Sequence, residues 1–124
     1  MVSGPLATML LADQRAEVGM LETADGLGER VRWVGSRHRG MGSAFGSSNR
    51  GKRSLVLDLK DERGREAAHR LVAEADVFVQ NFRPGAAERS GLGEAELRAL
   101  APDLVYVSIS GFGPDGPSAD QMVY

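Results

Sequence analysis

The sequence predicts an α/β chain built on parallel strands with helices packed against them. Three observations carry this expectation. Apolar, β-branched runs occur at Leu55–Leu59, Val77–Gln80 and Leu104–Ser110, the pattern of strands covered on both faces. A helical stretch, Glu62 to Glu74, separates the first two runs. Strand, helix and strand in that order make a βαβ unit with a right-handed crossover. The last two runs each end abruptly in turn residues, Asn81-Phe82-Arg83-Pro84-Gly85 and Gly111-Phe112-Gly113-Pro114-Asp115-Gly116-Pro117. Open parallel sheets bind ligands just beyond the carboxyl ends of their strands. The features that predict the fold therefore also point to one rim of it.

Composition narrows the function classes. A chain of 124 residues suffices for one domain with a real core but not for two. A formal net charge of −2 gives no general attraction to nucleic acid or to membranes. The absence of cysteine removes disulfides, thiol catalysis and thiolate metal sites together. His38 and His69 have no partner at metal-ligand spacing. The apolar run Leu6–Ala12 is too short to span a bilayer, and no Lys or Arg precedes it as in a signal peptide. The expected location is the cytoplasm.

In chain order, Ser3 or Gly4 caps a helix that begins near Pro5, where the missing N–H costs nothing. Leu6, Met9, Leu10 and Asp13 give that helix one buried face. Val18 to Glu22 reads as a short strand weakened by Gly19. Thr23 to Gly51 reads as a long irregular stretch, rich in glycine and serine and locally basic through Arg30, Arg32, Arg37 and Arg39. A loop of this length is either functional or poorly ordered. Its arginines face a phosphate or simply water, and Trp33 pins it to the body. Gly26 and Gly28 do not follow a strand and open a helix, so they are no dinucleotide fingerprint.

Asp61 caps the helix Glu62–Glu74, whose inward stripe is Ala67, Ala68, Leu71 and Val72, with His69 off the stripe and exposed. A short helical piece carries Ala86 to Arg89 and ends at Gly91-Leu92-Gly93. Glu94–Ala101 is a further helix, stopped by Pro102. At the rim, Asn81 and Arg83 are candidate ligand contacts. The plain alternative is a connecting loop with a solvated arginine.

Four blocks in collinear order carry a resemblance. They are Gly4-Pro5 with Ala7–Asp13, then Asn49–Lys60, then Ala75–Gly85, and finally Leu104–Pro117. Together they resemble the family III coenzyme A transferases, a family that also includes the α-methylacyl-CoA racemases. The resemblance implies a Rossmann-like open parallel sheet flanked by helices, incomplete here because the family's first strand and C-terminal part are missing. Residues 1–124 would then be a partial N-terminal CoA-binding domain. By similarity, coenzyme A contacts fall on Val2, Ser3, Leu57, Asp58, Leu59, Lys60, Asn81, Phe82, Arg83, Arg89, Met122, Val123 and Tyr124. Lys60, Arg83 and Arg89 suit the 3′-phosphate and pyrophosphate of CoA as counter-charges.

The implied parent reaction is transfer of CoA between carboxylic acids through a covalent aspartyl intermediate. Coenzyme A or acyl-CoA is a substrate, and no cofactor or metal is implied. The implied partners are acyl-CoA, carboxylic acids, and a second copy or a complementing C-terminal fragment, with neither nucleic acid nor membrane. The family's nucleophilic aspartate lies beyond Tyr124, so no catalytic residue is assigned and the isolated chain is expected to be inactive. Tyr124 stands where racemases place a histidine, which leans away from racemisation. Thr23 stands where members of the family place an arginine that contacts CoA. Gln14-Arg15-Ala16 replaces an apolar residue and a glycine at the end of the first helix. The alternatives are a non-catalytic CoA- or nucleotide-binding module, and a truncated gene product without its own function.

Overall fold

In the computed structural model, residues 2–25, 28–113, 115–119 and 121 are described. The chain forms two compact units, Met1–Asp58 and Leu59–Tyr124.

In the first unit, helix α1 (Ser3–Asp13) leads to strand β1 (Val18–Thr23). A 3₁₀ turn (Arg30–Trp33) follows, then a small hairpin of β2 (Arg37–His38) and β3 (Met41–Gly42). Helix α2 (Ser43–Asn49) and strand β4 (Lys52–Leu57) complete it. β4 pairs with β1 in parallel, from Val18↔Lys52 to Thr23↔Leu57. Met9, Val31 and Phe45 are its buried apolar side chains. Helix α1 ends because the backbone of Arg15 turns left-handed, φ +75°. That conformation brings the Ala16 N–H back to the Leu11 carbonyl at 3.0 Å, closing a Schellman-type turn.

In the second unit, helix α3 (Glu62–Ala73) precedes strand β5 (Val77–Gln80). Helices α4 (Ala86–Arg89) and α5 (Glu94–Leu100) then lead to strand β6 (Val105–Ser108). Asp61 caps α3 by accepting the Arg63 N–H at 2.8 Å, which satisfies one of the helix's orphan donors. β5 and β6 are parallel, from Val77↔Val105 to Gln80↔Ser108. Leu92, Leu97 and Leu104 are almost wholly buried and form the core with Ala68, Val72 and Ala87. Phe78 and Tyr106 stack across the strand pair, with ring centroids 5.4 Å apart.

The α/β class with parallel strands and flanking helices is what the sequence predicts, and the partners of the strands differ in detail. Among the described residues, β4 pairs with β1, and β5 with β6. The weak run at Val18 forms a full strand because each of its six residues has a register partner on β4. β4 lies three residues earlier at its start than its apolar run, so Asp58 falls beyond the strand.

The stretch from Thr23 to Gly51 is not irregular throughout. It holds the 3₁₀ turn, the hairpin and α2, whose short serine-rich sequence lacks the apolar periodicity that betrays a helix. Trp33 remains 44% exposed, and Arg37 lies over its ring at 4.9 Å. On α1, Met9 is buried but Leu6 and Leu10 are not. On α3 the buried stripe narrows to Ala68 and Val72, while Leu71 faces outward. His69 is half-buried, its Nε2 2.6 Å from the Gly91 carbonyl oxygen and 3.6 Å from Glu96 Oε1. The glycine turn folds back over the ring, a long-range contact that helical spacing does not report.

Candidate functional site

Parallel pairing sends the chain out of β5 and β6 at the same edge, so the turn after Gln80 and the turn after Ser108 start side by side. Each start is held by a side chain bonding to backbone two or three residues on. Gln80 Oε1 accepts the Phe82 N–H at 2.7 Å, and Ser110 Oγ accepts the Gly113 N–H at 3.0 Å. The first turn closes when the Arg83 carbonyl accepts the Ala86 N–H at 3.0 Å. Gly85 then takes φ +71°, which favours glycine, and α4 begins. A side chain there would also meet the guanidinium of Arg89, whose Nη1 lies 2.8 Å from the place of a Cβ. The glycine thus lets Arg89 fold back over the turn.

Arg83 and Arg89 are exposed, and Phe82 is 46% exposed. Two exposed guanidinium groups and an open aromatic face along one turn suit an anionic ligand carrying a planar or apolar part. Before α3, the carbonyls of Leu59 and Lys60 both accept from Arg65 Nη1, at 3.2 and 3.0 Å, which fixes the backbone that carries the exposed Lys60. On β6, burial pushes the Tyr106 hydroxyl up from its ordinary pKa, and the Gln80 amide partly offsets this. Tyr106 therefore stays protonated and donates to the Leu92 carbonyl at 3.1 Å.

The first unit holds a polar network that sequence reasoning missed. Glu22 is only 4% exposed, in the one fully buried position of β1. Arg32 grips it with both arms: Nε donates to Oε2 at 2.6 Å, and Nη2 pairs with Oε1. The Ser54 hydroxyl donates to Oε1, and the Glu29 N–H donates to Oε2 at 2.7 Å. The Arg32 bond, opposed by burial and helped by Ser54 and the Glu29 amide, holds the carboxyl down to about 2. Arg32 also lies over the Phe45 ring at 3.9 Å. Glu22 and Arg32 line an open cavity of about 330 Å³, together with Thr23, Trp33, Ser54 and Val56. The signal available in the sequence was a glutamate in an otherwise apolar strand, which requires a buried cation nearby.

Lys52 is a second half-buried cation. Its Nζ donates to the Pro5 carbonyl and to Asn49 Oδ1, both at 2.7 Å. Burial lowers its pKa to about 8, against a smaller upward pull from Glu29.

The expected contact residues divide between the units. Val2 and Ser3 are exposed at the start of α1, where the Val2 carbonyl accepts the Leu6 N–H at 2.8 Å. Leu57 closes β4, and Asp58 follows it, exposed. Leu59, Lys60, Asn81, Phe82, Arg83 and Arg89 belong to the second unit. There the structure brings Arg89 back onto the Arg83–Gly85 turn. Met122, Val123 and Tyr124 lie outside the described residues. Among the described residues, no cluster of three His, Asp or Glu side chains is placed to hold a metal ion. No described helix is long and apolar enough to cross a membrane.

Parallel strand pairs, with glycine-bearing turns at the carboxyl ends of β5 and β6, make this an α/β protein of the kind that gathers ligand contacts along a strand edge. The model of CoA-transferase family III matches residues 1–124, and the chain belongs to that family. It is 40% identical over 123 residues to acetyl-CoA:oxalate CoA-transferase of Acetobacter aceti, covering 99% of this chain and 31% of that protein. It is 38% identical over 124 residues to human succinyl-CoA:glutarate CoA-transferase, covering 99% of this chain and 28% of the relative. The crystal structure of a CAIB/BAIF family protein from Brucella suis superposes with a TM-score of 0.91 at 39% identity, over 99% of this chain and 33% of that one. The chain thus spans 28–31% of the length of these two curated relatives.

Proposed function

We propose that the chain is the coenzyme A-binding N-terminal portion of a CoA-transferase, and that the whole protein moves CoA between carboxylic acids. The observation that carries this reading is the match of residues 1–124 to the family, with relatives named as CoA-transferases. In the proposed reaction an aspartate outside these residues attacks the acyl-CoA thioester. The expelled CoA thiolate attacks the aspartyl carbonyl of the acyl-aspartyl anhydride, forming an enzyme thioester and freeing the donor carboxylate; the acceptor carboxylate then attacks that thioester, and the thiolate it expels takes the acceptor acyl group from the second anhydride and frees the aspartate. The 124 residues contribute recognition and no nucleophile, so by themselves they bind without turnover. Acyl-CoA and carboxylic acids are the proposed small-molecule partners, with CoA a substrate rather than a resident cofactor. A second copy or a C-terminal segment completes the enzyme.

Arg83, Arg89 and Lys60 are the proposed counter-charges for the phosphates, with Asn81 and Phe82 meeting the polar and planar parts of CoA. Val2, Ser3, Leu57, Asp58, Leu59 and Met122 to Tyr124 complete the proposed contacts. Calorimetry with CoA on the wild-type chain and on Arg83→Ala tests the assignment. Losing one charge-assisted phosphate contact is expected to weaken binding by about 1.5–3 kcal/mol. Equal affinity in the variant returns Arg83 to a solvated loop charge. Mass spectrometry after incubation with succinyl-CoA is expected to show no covalent adduct. A CoA thioester on any aspartate of these residues would overturn the recognition-only reading.

A further inference from the structure

Gln80 ends β5 opposite Ser108 in the register. Its side-chain amide makes two close bonds, beside the Tyr106 hydroxyl that it also touches. Nε2 donates to Ser108 Oγ at 2.7 Å, and Oε1 accepts the Phe82 N–H at 2.7 Å. A backbone N–H can only donate, so Oε1 must face Phe82, and Nε2 is left toward the hydroxyl. The amide's orientation is therefore dictated by its partners. The Gln80 carbonyl also accepts the Ile109 N–H at 2.9 Å. Backbone and side chain together tie the end of β5 to β6, and the side chain then reaches forward into the turn. Asn81 is left between two fixed points, and the Arg83 carbonyl closes the turn onto Ala86.

We propose that Gln80 is the positioning residue of the Asn81–Arg83 turn: it sets where Asn81 and Arg83 project while carrying no charge to the ligand itself. An exposed turn of this length otherwise samples several conformations and binds more weakly for having to be ordered. The inference rests on the reading of this turn as a CoA contact.

The test uses the 124-residue chain as wild type, Gln80→Met, Gln80→Glu and Ser108→Ala. It reads amide hydrogen exchange at Phe82 and CoA affinity by calorimetry. Gln80→Met keeps the length and loses both bonds. It is expected to speed Phe82 exchange and weaken CoA roughly tenfold, with the Val77–Val79 amides still protected. Gln80→Glu keeps the acceptor and is expected to restore protection at Phe82, whereas a purely steric role would be filled equally by Met. Equal Phe82 exchange in wild type and Gln80→Met overturns the inference. Faster exchange with unchanged CoA affinity also overturns it, and leaves the CoA site standing. Absence of CoA binding by the wild type overturns both readings. If Gln80→Met loses protection throughout β5, Ser108→Ala decides. That variant frees the amide on one side only, and unchanged exchange and affinity there overturn the inference.

Discussion

Glu22 and Arg32 lie ten positions apart in sequence and meet in the first unit with four hydrogen bonds on one carboxylate. The folded carboxyl titrates near 2 against an ordinary value of 4.5. As pH falls, the unfolded chain takes up its proton first. The stability from this network is therefore complete above about 4.5 and is lost toward 2. At about 1.4 kcal/mol per pKa unit, the contribution is on the order of 3 kcal/mol. Arg32→Ala strands a buried charge and is expected to cost about 3–5 kcal/mol. Glu22→Gln should cost less, because Arg32 is 29% exposed and can turn to water. Urea titration at pH 7 checks the order, and the difference between wild type and Glu22→Gln should shrink as pH falls through that window. Lys52 has linkage of the same sign in a higher window, because burial here disfavours the charged form. Its folded pKa of about 8 lies below the ordinary 10.5, so the unfolded chain binds the extra proton between them. Stability from this group should therefore rise with pH above 8. Urea midpoints at pH 8.0 and 9.5 are expected to rise in the wild type and to lose that increment in Lys52→Met.

The elements show what kind of information a sequence exposes. The apolar runs at Val77 and Leu104, the Asp61 cap and the breaks at Gly91 and Pro102 are local, and β5, β6, α3 and α5 appear where they place them. Helix α2 was hidden because Ser43–Asn49 has little apolar periodicity and is held by contacts to α1 and the 3₁₀ turn. The Glu22–Arg32 pair was hidden because it depends on how the 3₁₀ turn returns onto the end of β1, which no spacing rule states. Of the candidate site, the turn at Asn81–Gly85 was legible from its punctuation, whereas the Gln80 bond to Phe82 and the return of Arg89 over Gly85 required coordinates. The end of α1 gives a direct test of local conformation. Arg15 holds φ +75°, where a side chain costs about 1–2 kcal/mol and glycine costs almost nothing. After the greater flexibility of glycine in the unfolded chain is set against this, Arg15→Gly is expected to stabilise by about 0.5–1 kcal/mol. A denaturation midpoint unchanged or lowered in the variant would show that the left-handed turn is unstrained.

At the scale of the whole chain, apolar surface is left open in both units. Val2, Leu6, Leu10 and Leu11 are exposed on α1, as are Val77 and Val105, which are register partners in the second unit. A helix apolar on more than one face is normally covered on more than one face. The isolated 124-residue chain is therefore expected to self-associate and to melt below about 60 °C. A monodisperse monomer by light scattering, with a cooperative melt above that temperature, would contradict this. The pairing of β1 with β4 also sets an order of events during synthesis. Val18 has its partner in Lys52, and Thr23 has its partner in Leu57. While the ribosome makes the residues between, β1 lacks its β4 partner, and of the strand pairs among the described residues the small β2–β3 hairpin is the one that closes locally in that interval. Pulse-labelled hydrogen exchange should accordingly show β1 and β4 amides gaining protection together and late. The emerging β1 segment is then a client for chaperones until its distant partner strand leaves the tunnel.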